Sequence, residues 1–225
     1  MRKYIKTYRG HSNWVQSVVN IDGSTFISGS ADYTSKLWNI HTGKCMYTFE
    51  GHTGWINTVV NLYGTSFLSG SDDNTIKLWH IPSRECLETY KGHVGSVTMI
   101  SLVDENSFLS SSSDTTIKLW DIHTGECKRT FVGHGNWVYS VAKIDGRSSF
   151  LSGAADNTIK HWKISSKLND DYDYEDEHDE HDQLYDPQQD PQYNPQPDPQ
   201  PDPQHDPQHD QYNDYGLEKH PKYDL

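Results

Sequence analysis

Cysteine is scarce in this 225-residue chain, three residues in all, and no apolar run approaches the ~18 residues that a membrane-spanning helix requires. Cys45, Cys86 and Cys127 are odd in number and stand 41 residues apart, a pattern that predicts small buried hydrophobic positions rather than disulfides. The basic start Met1-Arg2-Lys3-Tyr4-Ile5-Lys6 leads into no apolar stretch or cleavage site, so it does not read as a secretory leader. An intracellular location, cytoplasm or nucleus, is therefore expected, with no membrane partner. Proline is nearly missing from the first 167 residues: nine of the ten prolines follow them, whereas all seven tryptophans precede residue 168.

Basic charge is what the C-terminal part lacks. Residues 168–225 carry 2 Lys or Arg against 18 Asp or Glu, while residues 1–167 carry 17 against 14. The overall net charge of −13 thus describes neither part. A total of this sign repels phosphate, and the near-neutral first part offers no basic stripe, which argues against direct nucleic-acid binding. Residues 1–167 read as a folded region and residues 168–225 as a disordered acidic low-complexity tail.

The folded region is internally repetitive. Gly-His recurs at Gly10-His11, Gly51-His52, Gly92-His93 and Gly133-His134, always at a spacing of 41. Trp38, Trp79, Trp120 and Trp162 follow these histidines by 27, 27, 27 and 28 residues, and the extra residue of the fourth copy falls in the turn Asp145-Gly146-Arg147-Ser148-Ser149. Each period holds four short β-prone runs rich in Val, Ile, Thr, Phe and Trp, as at 57–61, 66–70, 75–79 and 85–90, separated by turn residues such as Asp22-Gly23 and Thr124-Gly125. Four repeats are expected, at about 10–40, 51–81, 92–122 and 133–164, each a four-stranded meander.

With its period, its Gly-His pairs and its Trp-Asp at Trp120-Asp121, the sequence resembles the WD40 repeats that build β-propellers. The other three copies end in Trp38-Asn39, Trp79-His80 and Trp162-Lys163. Ser35 and His161 depart further, standing where other copies have Ile or Leu, which predicts poorer packing in the first and last blades. The fold expected is all-β: four WD40-type four-stranded blades in a propeller or half-propeller, followed by the acidic Asp/Pro/Gln-rich tail.

Every copy also carries the residue types of a hydrolase triad: His11, Ser28, Asp32; His52, Ser69, Asp73; His93, Ser110, Asp114; His134, Ser152, Asp156. Fourfold repetition beside a Trp, with no nucleophile elbow, argues against catalysis. The resemblance implies instead a structural network in each blade, with Trp38, Trp79, Trp120 and Trp162 as further members.

It also implies a binding face on the third and fifth residues after each Gly-His histidine and the residue before each structural Asp. Matched by position, the third residues are Trp14, Trp55, Ser96 and Trp137, and the fifth are Gln16, Asn57, Thr98 and Tyr139. The residues before Asp are Ala31, Asp72, Ser113 and Ala155. Three Trp and a Tyr at nominally exposed positions suit a binding surface; the competing reading packs these rings between blades.

Four blades are the lower limit for a closed propeller. Residues 3–8 resemble the outer strands near Cys45, Cys86 and Cys127, and nothing after Trp162 does, so strand 3–8 is expected to complete the last blade. Three closures remain open: a four-bladed ring in one chain, an eight-bladed ring from two chains or another oligomer, or an incomplete or partner-completed ring. The function implied is a non-enzymatic scaffold or adaptor for protein–protein interaction. Alternatives are a structural oligomer without a dedicated ligand, and a hydrolase or metal binder using the His, Ser and Asp groups. No cofactor is expected. In the tail, His178, His181, His205 and His209 with nearby Asp suggest weak divalent-metal binding at most, and the acidic block suggests a basic protein partner.

Overall fold

The computed structural model describes residues 4–164 apart from Arg147. The expectations for residues 168–225, their histidines and their basic partner included, lie outside the described residues. Within that range every element is a strand. Blade 1 is β1 (Val15–Asn20), β2 (Thr25–Ser30), β3 (Ser35–Asn39) and β4 (Cys45–Phe49). Blade 2 is β5 (Ile56–Leu62), β6 (Ser66–Ser71), β7 (Ile76–His80) and β8 (Glu85–Tyr90). Blade 3 is β9 (Val97–Leu102), β10 (Ser107–Ser112), β11 (Ile117–Asp121) and β12 (Cys127–Phe131). Blade 4 has β13 (Val138–Lys143), β14 (Ser149–Ala154) and β15 (Ile159–Lys163).

Each sheet is an antiparallel meander in chain order. The turns are closed by side chains that mimic backbone acceptors: Asp22 Oδ1 takes the amides of Ser24 and Thr25, and Asn39 Oδ1 takes that of Thr42. The Gly-His glycines have φ between 146° and 159°, and an added Cβ would meet the Trp ring of the same blade at 3.0–3.2 Å. Only glycine combines that backbone with that contact.

The cores lie between blades rather than within them. Ile27, Leu37 and Phe49 of blade 1 pack with Ile56, Val59, Phe67 and Trp79 of blade 2. Blade 2 meets blade 3 through Leu68, Ile76, Leu78 and Tyr90 against Val97, Ile100, Phe108 and Trp120. Blade 3 meets blade 4 through Leu109, Ile117, Leu119 and Phe131 against Val138, Val141 and Phe150. A pleated strand exposes alternate residues to alternate faces, so a blade apolar on both faces is stable only when neighbours cover both.

Two expectations differ from the structure. Among the described residues, 4–8 form no strand and blade 4 has three strands, so the segment does not complete the last blade of its own chain. The segment is tied to blade 1 instead, where the Tyr8 hydroxyl donates to the Ile40 carbonyl at 3.0 Å and Lys6 donates to the carbonyls of Ile40 and His41. Cys45, Cys86 and Cys127 are free, but they are exposed, not buried. They lie on the outermost strand of each blade, which no further strand covers, with Sγ 3.7–3.9 Å from the hydroxyls of Thr48, Thr89 and Thr130. Ser35 is fully buried with an unpartnered hydroxyl, and His161 is exposed on the uncovered side of blade 4.

Candidate functional site

The sixteen side chains picked out as four His-Ser-Asp-Trp sets do come together, one set per blade. His52 Nδ1 lies 2.7 Å from Asp73 Oδ2 and His52 Nε2 lies 2.7 Å from Ser69 Oγ, while Trp79 Nε1 donates to that Oγ at 2.8 Å. Blades 1, 3 and 4 repeat the geometry through His11, Asp32, Ser28 and Trp38; His93, Asp114, Ser110 and Trp120; and His134, Asp156, Ser152 and Trp162. An ionised carboxylate only accepts, so Nδ1 carries the proton, Nε2 accepts from the serine, and the serine accepts from the indole.

A threonine two residues after each Asp completes the set, a member the sequence reading missed. Thr34, Thr75, Thr116 and Thr158 donate Oγ1 to Oδ1 of their Asp at 2.6–2.7 Å. Its signal was available, because Asp-x-Thr recurs at every copy. The amide after each Gly-His histidine donates to the same carboxylate, at 3.0 Å from Ser12 to Asp32.

These bonds set the acidity of the aspartates. Burial opposes ionisation of Asp32, but donors from Thr34, His11 and the Ser12 amide outweigh it and hold its pKa at about 2. Burial likewise opposes, and His and Thr donors overcome, at Asp73 and Asp114, which are also held well below the usual carboxylate range. Asp156 is held down chiefly by Thr158.

The geometry places Ser-His-Asp in triad order, yet Ser28, Ser69, Ser110 and Ser152 are buried and each oxygen is already occupied by an indole N–H. A nucleophile must approach substrate within about 3–3.5 Å. Among the described residues, no three His, Cys, Asp or Glu side chains converge as metal ligands.

The second candidate group lies where each first strand begins. In all four blades the third residue after the histidine and the residue before the structural Asp are joined through backbone bonds of 2.8–2.9 Å: Ala31 to Trp14, Asp72 to Trp55, Ser113 to Ser96 and Ala155 to Trp137. The fifth residue is a β-bulge, the extra residue between Val15 and Ser17, Ile56 and Thr58, Val97 and Met99, or Val138 and Ser140. A bulge re-aims the side chain it carries. Asn57 thereby donates to Asp72 Oδ1 at 2.7 Å and to the Val97 carbonyl of blade 3 at 3.0 Å, and Thr98 donates to the Val138 carbonyl of blade 4 at 2.6 Å. These two clamp neighbouring blades; Gln16 is exposed.

The aromatic members are solvent-facing: Trp14 is 69% exposed, Trp55 39%, Trp137 52% and Tyr139 55%. They group in two pairs, Trp14 edge-on to Trp55 with ring centres 6.1 Å apart, and Trp137 edge-on to Tyr139 at 6.4 Å. A shallow cleft of about 380 Å³ joins the second pair to Asn57, Asp72, Ser96, Thr98 and Ser113, drawing on blades 2, 3 and 4.

The WD40 family model, described as WD domain, G-beta repeat, matches residues 2–39, 43–80, 84–121 and 125–163. The chain belongs to the WD40 repeat family. The last three matched units each begin on an outer strand and run through three strands of the next blade, and the first runs from residue 2 through three strands of blade 1. Among solved structures, the chain is similar to the crystal structure of the computationally designed Ika4 protein, with 30% identity, a TM-score of 0.66, and coverage of 73% of this chain and 100% of that one.

Proposed function

We propose that this chain is a non-enzymatic scaffold that grips a protein or peptide partner across the face bearing Trp14, Trp55, Trp137 and Tyr139. The observation that carries the reading is the exposure of these four rings, three of them on backbone bonded to the residue before the structural Asp. Exposed grouped tryptophans are costly in water, and they supply large contact area with few rotatable bonds. The cleft beside Trp137 and Tyr139 adds Asp72, Ser96, Thr98 and Ser113 as polar partners for a backbone or side chain. Burial of all four serine oxygens supports a structural role for the His-Ser-Asp-Trp sets and speaks against the hydrolase alternative.

The test replaces Trp14, Trp55 and Trp137 together by serine. Partner capture should fall by at least tenfold while stability changes by no more than ~0.5 kcal/mol per site, as for other exposed positions. Unfolding of the triple variant, followed by circular dichroism, would show instead that the rings hold the blades together.

A further inference from the structure

The chain repeats one interface design three times and leaves half of that design uncovered at each end. At the first internal interface, Ile56 and Val59 of β5 press on Ile27 of β2, and all three are at most 4% exposed. The repeat counterparts of Ile56 and Val59 on blade 1 are Val15 and Val18, 50% and 65% exposed. The counterpart of Ile27 on blade 4 is Leu151, 40% exposed, and beside it Ile159 is 78% exposed where Ile76 and Ile117 are buried. The two open faces are therefore complementary halves of one contact.

Two further observations mark what is missing. Gly29 and Gly70 lie so close to the next blade that an added Cβ would meet Ile56 Cγ2 and Val97 Cγ1 at 2.6 Å, whereas Gly153, at the matching position of blade 4, has nothing within 4 Å. At the other end, Tyr8 bonds the Ile40 carbonyl at 3.0 Å and packs on Phe26 with ring centres 4.8 Å apart. Tyr90 of the outer strand β8 does the same to Ile122 and Phe108 of the following blade, at 2.8 Å and 5.0 Å. Lys6 reaches the Ile40 carbonyl as Arg129 of β12 reaches that of Ile164. Residues 4–8 thus sit where the outer strand of a preceding blade would lie, and the family match begins its first unit at residue 2, as it begins the others at residues 43, 84 and 125, just before outer strands β4, β8 and β12.

We propose that two copies of this chain close into one eight-bladed ring, blade 4 of each seated on blade 1 of the other, with residues 4–8 supplying the outer strand that the partner copy's blade 4 lacks. The occupant is a second copy because the uncovered surfaces present, at every position but His161, the residue types that meet at the three internal interfaces. Two copies suffice because propellers close at four to eight blades and one chain leaves its own ends uncovered. The contact is head-to-tail, and its twofold repetition closes the ring without a residual edge.

Light scattering on the full chain after size separation should give twice the 25.8 kDa chain mass at tens of micromolar. A single-chain mass, or one of three or more chains, overturns the proposal. Val18→Lys and Leu151→Lys change side chains exposed in the single chain, so each should retain its circular dichroism while weakening association at least tenfold. Mixed in equal amounts they should associate again, since the mixed pair keeps one native interface; absence of recovery overturns the proposal. Should either variant fail to fold, His161→Leu decides. It restores the residue that Leu37, Leu78 and Leu119 supply at the internal contacts and should tighten the dimer roughly tenfold through buried apolar area, whereas an unchanged or weaker dimer counts against this interface.

Discussion

Ser35 and Ser149 hold the two buried hydroxyls that lack a hydrogen-bond partner among the described residues, and each traces to a departure from the repeat. Ser35 stands where Ile76 and Ile117 fill the next interface. Ser149 corresponds to Ser107, whose Oγ donates to Asp104 three residues earlier, but the inserted residue of the fourth turn moves Asp145 to four residues away. A buried unpaired hydroxyl opposes folding, so Ser35→Ala is expected to raise stability by about 1 kcal/mol and the thermal midpoint by a few degrees in calorimetry. A lower midpoint would mean that the hydroxyl is bonded. The four aspartates contribute to the acid response, beside Asp22 and Asp121, which turn amides and Lys128 also hold low. Asp32 titrates at about 2, below its ordinary 3.8, so its stabilisation is complete above about pH 4 and is lost as pH falls through 2; the other three follow the same sign. The midpoint should fall steadily from pH 4 to 2, and Asp32→Asn should shrink that fall; a rise over this window contradicts the assignment.

At the scale of the element, each polar set fastens the segment before a first strand to the second and third strands of its blade. Removing the His52 ring leaves Ser69 Oγ and Asp73 Oδ2 short of a partner in a nearly dry site. His52→Ala should cost about 2–3 kcal/mol, a fall of roughly 5–10 °C in the calorimetric midpoint, and an unchanged midpoint would remove the fastening role. The sets were legible in the sequence because their residue types and spacings recur fourfold. Strand positions were legible for the same reason, with 57–61 and 85–90 recovered as Ile56–Leu62 and Glu85–Tyr90. The bulges at Gln16, Asn57, Thr98 and Tyr139 were not, since a bulge is a mismatch of register between two strands and neither strand alone records it. Cysteine exposure escaped for a related reason. Apolar character says a residue can be buried, while position on the outermost strand decides whether anything covers it.

For the whole molecule, repeat number and blade content were readable, but the fate of the ends was not. Val15 and Val18 carry the same apolar pattern as Ile56 and Val59, so on blade 1 the sequence holds no mark that distinguishes a covered face from an open one, whereas on blade 4 His161 is such a mark. Only the placement of blades in space separates them. The tryptophans divide along a similar line: Trp38, Trp79 and Trp120 are enclosed and bonded to serine, whereas Trp14, Trp55 and Trp137 meet water. Indole emission shifts to the red in a wet environment and is quenched there by dissolved acrylamide, so the protein contains two optical populations, with the half-buried Trp162 between them. Engagement of the proposed aromatic face is expected to alter the quenchable, red-emitting one, and loss of the blade interior the shielded, blue-emitting one. A single emission spectrum with added quencher thereby separates recognition from unfolding without any attached dye.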